Sequence, residues 1–87
     1  MSKEYQALHK ELIDLFNSTM LRIQSAGTVQ DVDTINDDVL SRNGSLIRIM
    51  RRLSEIPVDE RAEFGREVNR IRDEINIELT LKVAEII

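Results

Sequence analysis

Between Arg42 and Arg52 the chain carries Arg42, Arg48, Arg51 and Arg52 and no acidic residue, and Arg61 follows shortly afterwards. A guanidinium is planar, permanently charged and offers a fork of N–H donors that matches two oxygens of one phosphate. The chemistry open to this segment is therefore the grip of phosphates, although the same residues would equally suit a solvated helix face. Aromatic side chains are limited to Tyr5, Phe16 and Phe64, and two of these fall on apolar stripes, so stacking on unpaired bases is not expected. What the arginines could hold is the backbone of a folded, double-helical RNA, read by shape and charge.

Groups for catalysis are few. His9 is the sole histidine and lies between Leu8 and Lys10, a surface or groove position rather than that of a general base. The run beginning at Asp31 resembles a calcium loop at its start, but Ile35, Asn36 and Arg42 stand where an EF-hand needs an oxygen ligand, a glycine and a glutamate. No glycine-rich phosphate loop, HExxH pair or GxSxG elbow is present. With no cysteine there is no disulfide framework, thiolate metal site or cysteine nucleophile, which suits a reducing cytoplasm. Asn17-Ser18-Thr19 and Asn43-Gly44-Ser45 match the glycosylation acceptor pattern, which is short enough to occur by chance. No metal ligand set and no cofactor site is expected.

The formal net charge is -4, which taken alone would argue against a nucleic-acid partner. Its distribution matters more. Asp31, Asp33, Asp37 and Asp38 form an acidic block, the arginine segment follows, and Arg66, Arg70 and Arg72 continue the basic trend among Glu60, Glu63 and Glu67. A local basic surface is what a phosphate backbone meets. At 87 residues, 32% charged and 41% hydrophobic, the composition fits one small helical domain, with little room for an enclosed active site. The start, Met1-Ser2-Lys3-Glu4-Tyr5, has no basic-then-apolar secretion pattern, and no apolar run approaches membrane-spanning length. A cytoplasmic protein without a membrane partner is expected.

The elements that must position these residues read as helices. Tyr5, Leu8, Leu12, Leu15 with Phe16, Met20 and Ile23 recur at three and four spacing, predicting a helix over 2–25. Gly27 is expected to close it at positive φ, and Thr28 with Asp31 forms an approximate capping box for a second helix ending near Ser41. Asn43-Gly44 is a strong hairpin signal, yet its flanks carry helical periodicity, which favours a helix-helix turn. Ser45 can cap a short third helix with Leu46, Ile49, Met50 and Leu53 on one face, and Pro57 stops it. The last helix starts near Pro57 or Val58 and carries Phe64, Val68, Ile71, Ile75, Leu79, Val83 and Ile86 on one stripe. About 30 residues at 1.5 Å each make a rod of roughly 45 Å.

From Ile75 to Val83 apolar and polar residues also alternate strictly, the pattern of a half-buried strand. Continuity of register with Phe64 favours helix. As a helix, the end gains a second stripe, Ile77, Leu81, Ala84 and Ile87, which pairing with helix one, pairing with a second copy, or attachment to a larger polypeptide could cover.

Leu40-Ser41-Arg42-Asn43-Gly44-Ser45-Leu46, then Leu53-Ser54-Glu55-Ile56-Pro57-Val58-Asp59-Glu60-Arg61, then Gly65 and Asn69, resemble the N-terminal domain of bacterial phenylalanine-tRNA ligase alpha chains. There the first part reads Leu-Gly-Lys-Lys-Gly and the second Leu-Pro-Pro-Glu-Glu-Arg, with a Gly and an Asn at matching distances. The spacing fits from about Thr28 onward. Ser41 replaces the usual Gly, and Asn43 the usual second Lys, which removes one positive charge.

The resemblance implies an all-α fold: an antiparallel helical hairpin or coiled-coil arm with two short helices near its tip, residues 1–87 forming a single domain of a longer chain. It implies an arm that holds the outer corner of tRNA by backbone contacts through Arg42, Arg48, Arg51, Arg52 and Arg61, gathered at the far tip near Pro57. Catalysis, ATP and Mg would belong to the catalytic module of the same alpha chain, and the beta subunit would be a further partner. Contact with about four phosphates would give a log-log salt slope near -3 to -4. The competing expectation is a helical interaction module that self-associates or binds a protein through its apolar C-terminal helix, without RNA.

Overall fold

The computed structural model describes residues 1–87 and contains four α-helices and no strand: α1 (Lys3–Ser25), α2 (Val29–Val39), α3 (Ser45–Met50) and α4 (Arg61–Ile86). Two 3-10 turns, Leu53–Glu55 and Val58–Glu60, link α3 to α4. Each start has a local chemical cause. Ser2 caps α1, its Oγ accepting the Tyr5 N–H at 3.0 Å. Thr28 and Asp31 form the capping box of α2: the Thr28 hydroxyl accepts the Asp31 N–H at 3.0 Å, while the Asp31 carboxylate accepts from the N–H groups of Gly27 and Thr28. Those bonds hold the Asp31 carboxyl below its ordinary range, Gly27 first and Thr28 next.

Gly27 does not take positive φ. Ala26, extended, closes α1, and no glycine lies in the left-handed region. Gly44 matters for a different reason. A Cβ there would lie 2.5 Å from the Val39 carbonyl oxygen, so only glycine lets the turn fold back so closely on the end of α2. Gly44, not Ser45, occupies the cap position of α3, and the Ser45 hydroxyl instead donates to the Asp38 carbonyl at 3.2 Å. α3 stops at Met50, and α4 begins at Arg61, after the turn that Pro57 opens.

The long helices α1 and α4 run side by side in the same direction. Ser2 donates its N–H and hydroxyl to Glu60, and at the other end Lys82 Nζ donates to the Gln24 carbonyl, both at a separation of 58 residues. Tyr5 meets Phe64 edge-on, ring centroids 5.6 Å apart, in the same register. The expected antiparallel pairing of the two long helices is thus corrected to a parallel one. The physical reason is length: 23 residues of α1 rise about 35 Å at 1.5 Å each, and α2, α3 and the turns use the intervening chain to travel back to the start before α4 sets out. The short helices accordingly line the return path rather than crowd a tip. The outline is a rod of 44 × 20 × 16 Å.

Phe64, Leu8, Leu12, Leu46, Ile56, Ile71, Ile75 and Val39 are the most deeply buried apolar side chains, each contributing about 1.5–3 kcal/mol by leaving water. Thr19 joins them as the one buried polar residue, its Oγ1 without a hydrogen-bond partner. Residues 75–83 are helical. Ile75 and Leu79 are 0% and 5% exposed whereas Ile77 and Leu81 are 57% and 58% exposed, a split that a 3.6-residue period produces and that a strand, with all of them on one face, would not.

Candidate nucleic-acid interface

The arginine segment spans the turn after α2, all of α3 and the residues just beyond it. At about 100° per residue, Arg48 falls on the side of α3 roughly opposite the buried Leu46 and Ile49, with Arg51 at the C-cap and Arg52 in the turn beyond. Burial of the apolar face against α1 and α4 thus turns Arg48 outward. Arg51 Nη2 approaches the Arg42 carbonyl at 3.4 Å, bringing the two ends of the segment together. Arg48 Nη2 donates to the Ser45 hydroxyl at 3.2 Å. Arg42, Arg48 and Arg51 are exposed and form no ion pair.

Arg52 and Arg61 are placed differently. Arg52 Nη1 donates to Glu11 Oε1 at 2.7 Å, while its Nε and Nη2 donate to the two oxygens of Glu55 at 3.0 and 3.2 Å. Glu55 first, then Glu11, hold the guanidinium firmly charged, and Arg52 in turn holds the Glu55 carboxyl below its usual range. Arg61 is half-buried, and its Nε and Nη2 donate to the carbonyls of Ile56 and Ser54 at 2.9 and 3.1 Å. Its guanidinium clamps the turn that leads into α4.

The position along the rod also differs from the expectation. Pro57 and Glu60 lie at the Ser2 end, but Arg52 lies opposite Glu11, nine residues along α1 from Ser2 and hence about 14 Å from that end. Arg48 and Arg52 therefore occupy the flank of the rod and not its tip, because the turns between Leu53 and Glu60 use the remaining length, whereas Arg61, next to Glu60, lies at the Ser2 end. Arg48 and Arg52 share an open groove with Glu11, Asp14, Leu15, Ser45 and Ile49. Asp14 is paired to Lys10 at 2.9 Å. Of the later arginines, Arg70 is chelated by Glu67 and Glu74, whereas Arg66 is exposed and enters no ion pair.

No site for chemistry emerges elsewhere. His9 stacks on Tyr5, ring centroids 5.7 Å apart, which gives it a packing role. Burial, then the Glu63 charge, push the Tyr5 hydroxyl upward. No three acidic or histidine side chains converge on a point that could hold a metal ion. No helix is long and apolar enough to cross a membrane.

The family described as "Aminoacyl tRNA synthetase class II, N-terminal domain" matches residues 27–86. The chain is similar to proteins named phenylalanine-tRNA ligase alpha subunit. It is 33% identical to that of Dictyoglomus thermophilum over 75 residues, 86% of this chain and 20% of the relative. It is 26% identical to that of Thermotoga maritima over 72 residues, 83% of this chain and 20% of the relative. For Levilactobacillus brevis the figures are 25% over 80 residues, 92% and 23%. The chain thus spans about a fifth of the length of the curated relatives it matches. No solved structure matches it.

Proposed function

From the premise that this chain belongs to the family of class II aminoacyl-tRNA synthetase N-terminal domains, we propose that it is the tRNA-binding arm of a phenylalanine-tRNA ligase alpha subunit. It works as one helical domain, residues 1–87, of a longer polypeptide in the cytoplasm. It holds the outer corner of the tRNA by its backbone while the catalytic module of the same chain, with the beta subunit, carries out aminoacylation. Being named for an alpha subunit, the relatives support this assignment. ATP and Mg belong to the catalytic module of such a ligase.

The observation that carries the reading is the exposure of Arg42, Arg48 and Arg51, none of them in an ion pair. Three such groups meet phosphates spaced along a helical backbone without reading bases, which suits recognition of shape. With Arg52 and Arg61 engaged internally, the contact set is three rather than about four, and the salt slope falls to roughly -2 to -3. The test is titration of the 87-residue chain into transcribed tRNA at several salt concentrations. Arg42→Gln, Arg48→Gln and Arg51→Gln should each lower the slope by about 0.7 to 0.9. Binding that does not depend on salt or on these residues would sink the proposal.

A second reading, a helical module that docks on a protein, is supported by the exposed Ile77 and Leu81 on α4. Concentration-dependent mass in sedimentation, abolished by Ile77→Lys with Leu81→Lys while tRNA affinity stays absent throughout, would favour it.

A further inference from the structure

Three N–H donors of the Arg52 guanidinium, one from each nitrogen, are given to carboxylates, Glu11 from α1 on one side and Glu55 from the following turn on the other. Its neighbour Arg48 lies in the same groove with only a hydroxyl as partner. One groove therefore presents two arginines in opposite states, Arg48 free of ion pairs and Arg52 held by carboxylates. The occupied one bridges segments 41 residues apart in sequence, so its state depends on α1 lying against α3.

The geometry points to Arg52 as a withheld fourth phosphate ligand, with Glu11 and Glu55 acting as internal competitors that keep the RNA affinity of the arm low. The inference rests on the tRNA-binding reading for its physiological partner, but its core is a statement about phosphate. An incoming phosphate meets Arg42, Arg48 and Arg51 free of ion pairs, whereas at Arg52 it competes with two carboxylates of like charge to its own. The competition is chemical: a carboxylate pair and a phosphate use the same forked donors. Glu11 thereby ties the affinity of the arginine face to the docking of α1, since lifting α1 away removes one of the two competitors.

The experiment compares wild type with the double variant Glu11→Gln, Glu55→Gln in binding to a short RNA duplex across a salt series. A control, Glu4→Gln with Asp33→Asn, changes net charge equally at two exposed carboxylates outside the groove that form no ion pair. One released contact should steepen the salt slope by about 0.7 to 0.9 and tighten binding about five- to eight-fold near 0.1 M salt, with under about two-fold for the control. Equal effects of the two double variants would overturn the inference, because bulk charge would then account for the gain. In parallel, the arginine Nε–H resonances are followed by NMR during titration with inorganic phosphate. Arg48 should respond in both proteins and Arg52 only in the double variant. An Arg52 response in wild type equal to that of Arg48, or none in the variant, would refute the withheld state. If no protein binds the RNA duplex, the tRNA-binding reading fails, and the phosphate titration still decides the state of Arg52.

Discussion

Lys82 Nζ donates to the Gln24 carbonyl at 3.1 Å, at the same 58-residue separation that joins Ser2 to Glu60 at the opposite end of the rod. The shared separation makes α1 and α4 a parallel pair whose ends are tied by polar contacts and whose middle is apolar. Orphan backbone groups at a helix end need partners, and each tie supplies one: Glu60 takes the Ser2 N–H, and Lys82 takes a carbonyl near the end of α1.

Glu60→Ala should therefore loosen the start of both helices, costing about 1–2 kcal/mol, as expected for loss of hydrogen bonds to a charged acceptor. Urea unfolding followed by circular dichroism measures the loss. In the same sample, nuclear Overhauser contacts between the Tyr5 and Phe64 rings report the parallel register, and contacts from Tyr5 to Val83 in their place would contradict it.

Thr19→Val should raise stability by about 1 kcal/mol. The hydroxyl of Thr19 is buried and unpartnered, so the isosteric methyl removes a desolvation cost and leaves the shape unchanged. A denaturation midpoint that falls on substitution would show that the hydroxyl is satisfied in solution.

Gly44→Ala and Gly27→Ala should diverge. At Gly44 the added carbon collides with the Val39 backbone, whereas nothing lies within 4 Å of one at Gly27. The first should cost about 1–3 kcal/mol through forced backbone movement. The second should be neutral or gain up to about 1 kcal/mol by restricting the unfolded chain. Thermal melts of the two variants measured side by side give the sign of each.

Acid should weaken the entry to α2. Asp31 has its folded-state pKa depressed, by the Gly27 N–H first, so its contribution is present above the ordinary value of 3.8 and is lost as pH falls through the lower folded value. Protonation in that window removes the acceptor that binds Gly27 and Thr28. The Asp31→Ala protein should show a shallower decline of melting temperature below pH 3.8 than wild type, and parallel declines would rule this out.

Arg61→Gln should separate structure from binding. Losing the clamp on the Ser54 and Ile56 carbonyls should cost about 1–2 kcal/mol, while the salt slope for tRNA stays at the wild-type value. A drop in slope matching that of Arg48→Gln would return Arg61 to the contact set.

The apolar stripe from Phe64 to Leu79, the Thr28–Asp31 capping box, the turn at Asn43-Gly44 and the break at Pro57 were legible in the sequence because each is local, set by period or by bonds that span three or four residues. So was the family resemblance, carried by Leu40 to Gly44, Leu53 to Arg61, Gly65 and Asn69. Thr19 escaped because a polar residue does not register on an apolar stripe, even though its place between Leu12 and Ile23 falls in the buried register. The tertiary structure alone decided that α1 and α4 run parallel, that Arg52 is held by Glu11, and that Arg61 is turned inward. These relationships join residues 58 and 41 positions apart, or bend a side chain onto its own turn. Residue type and spacing place an arginine on a face; packing determines which acceptor that face meets.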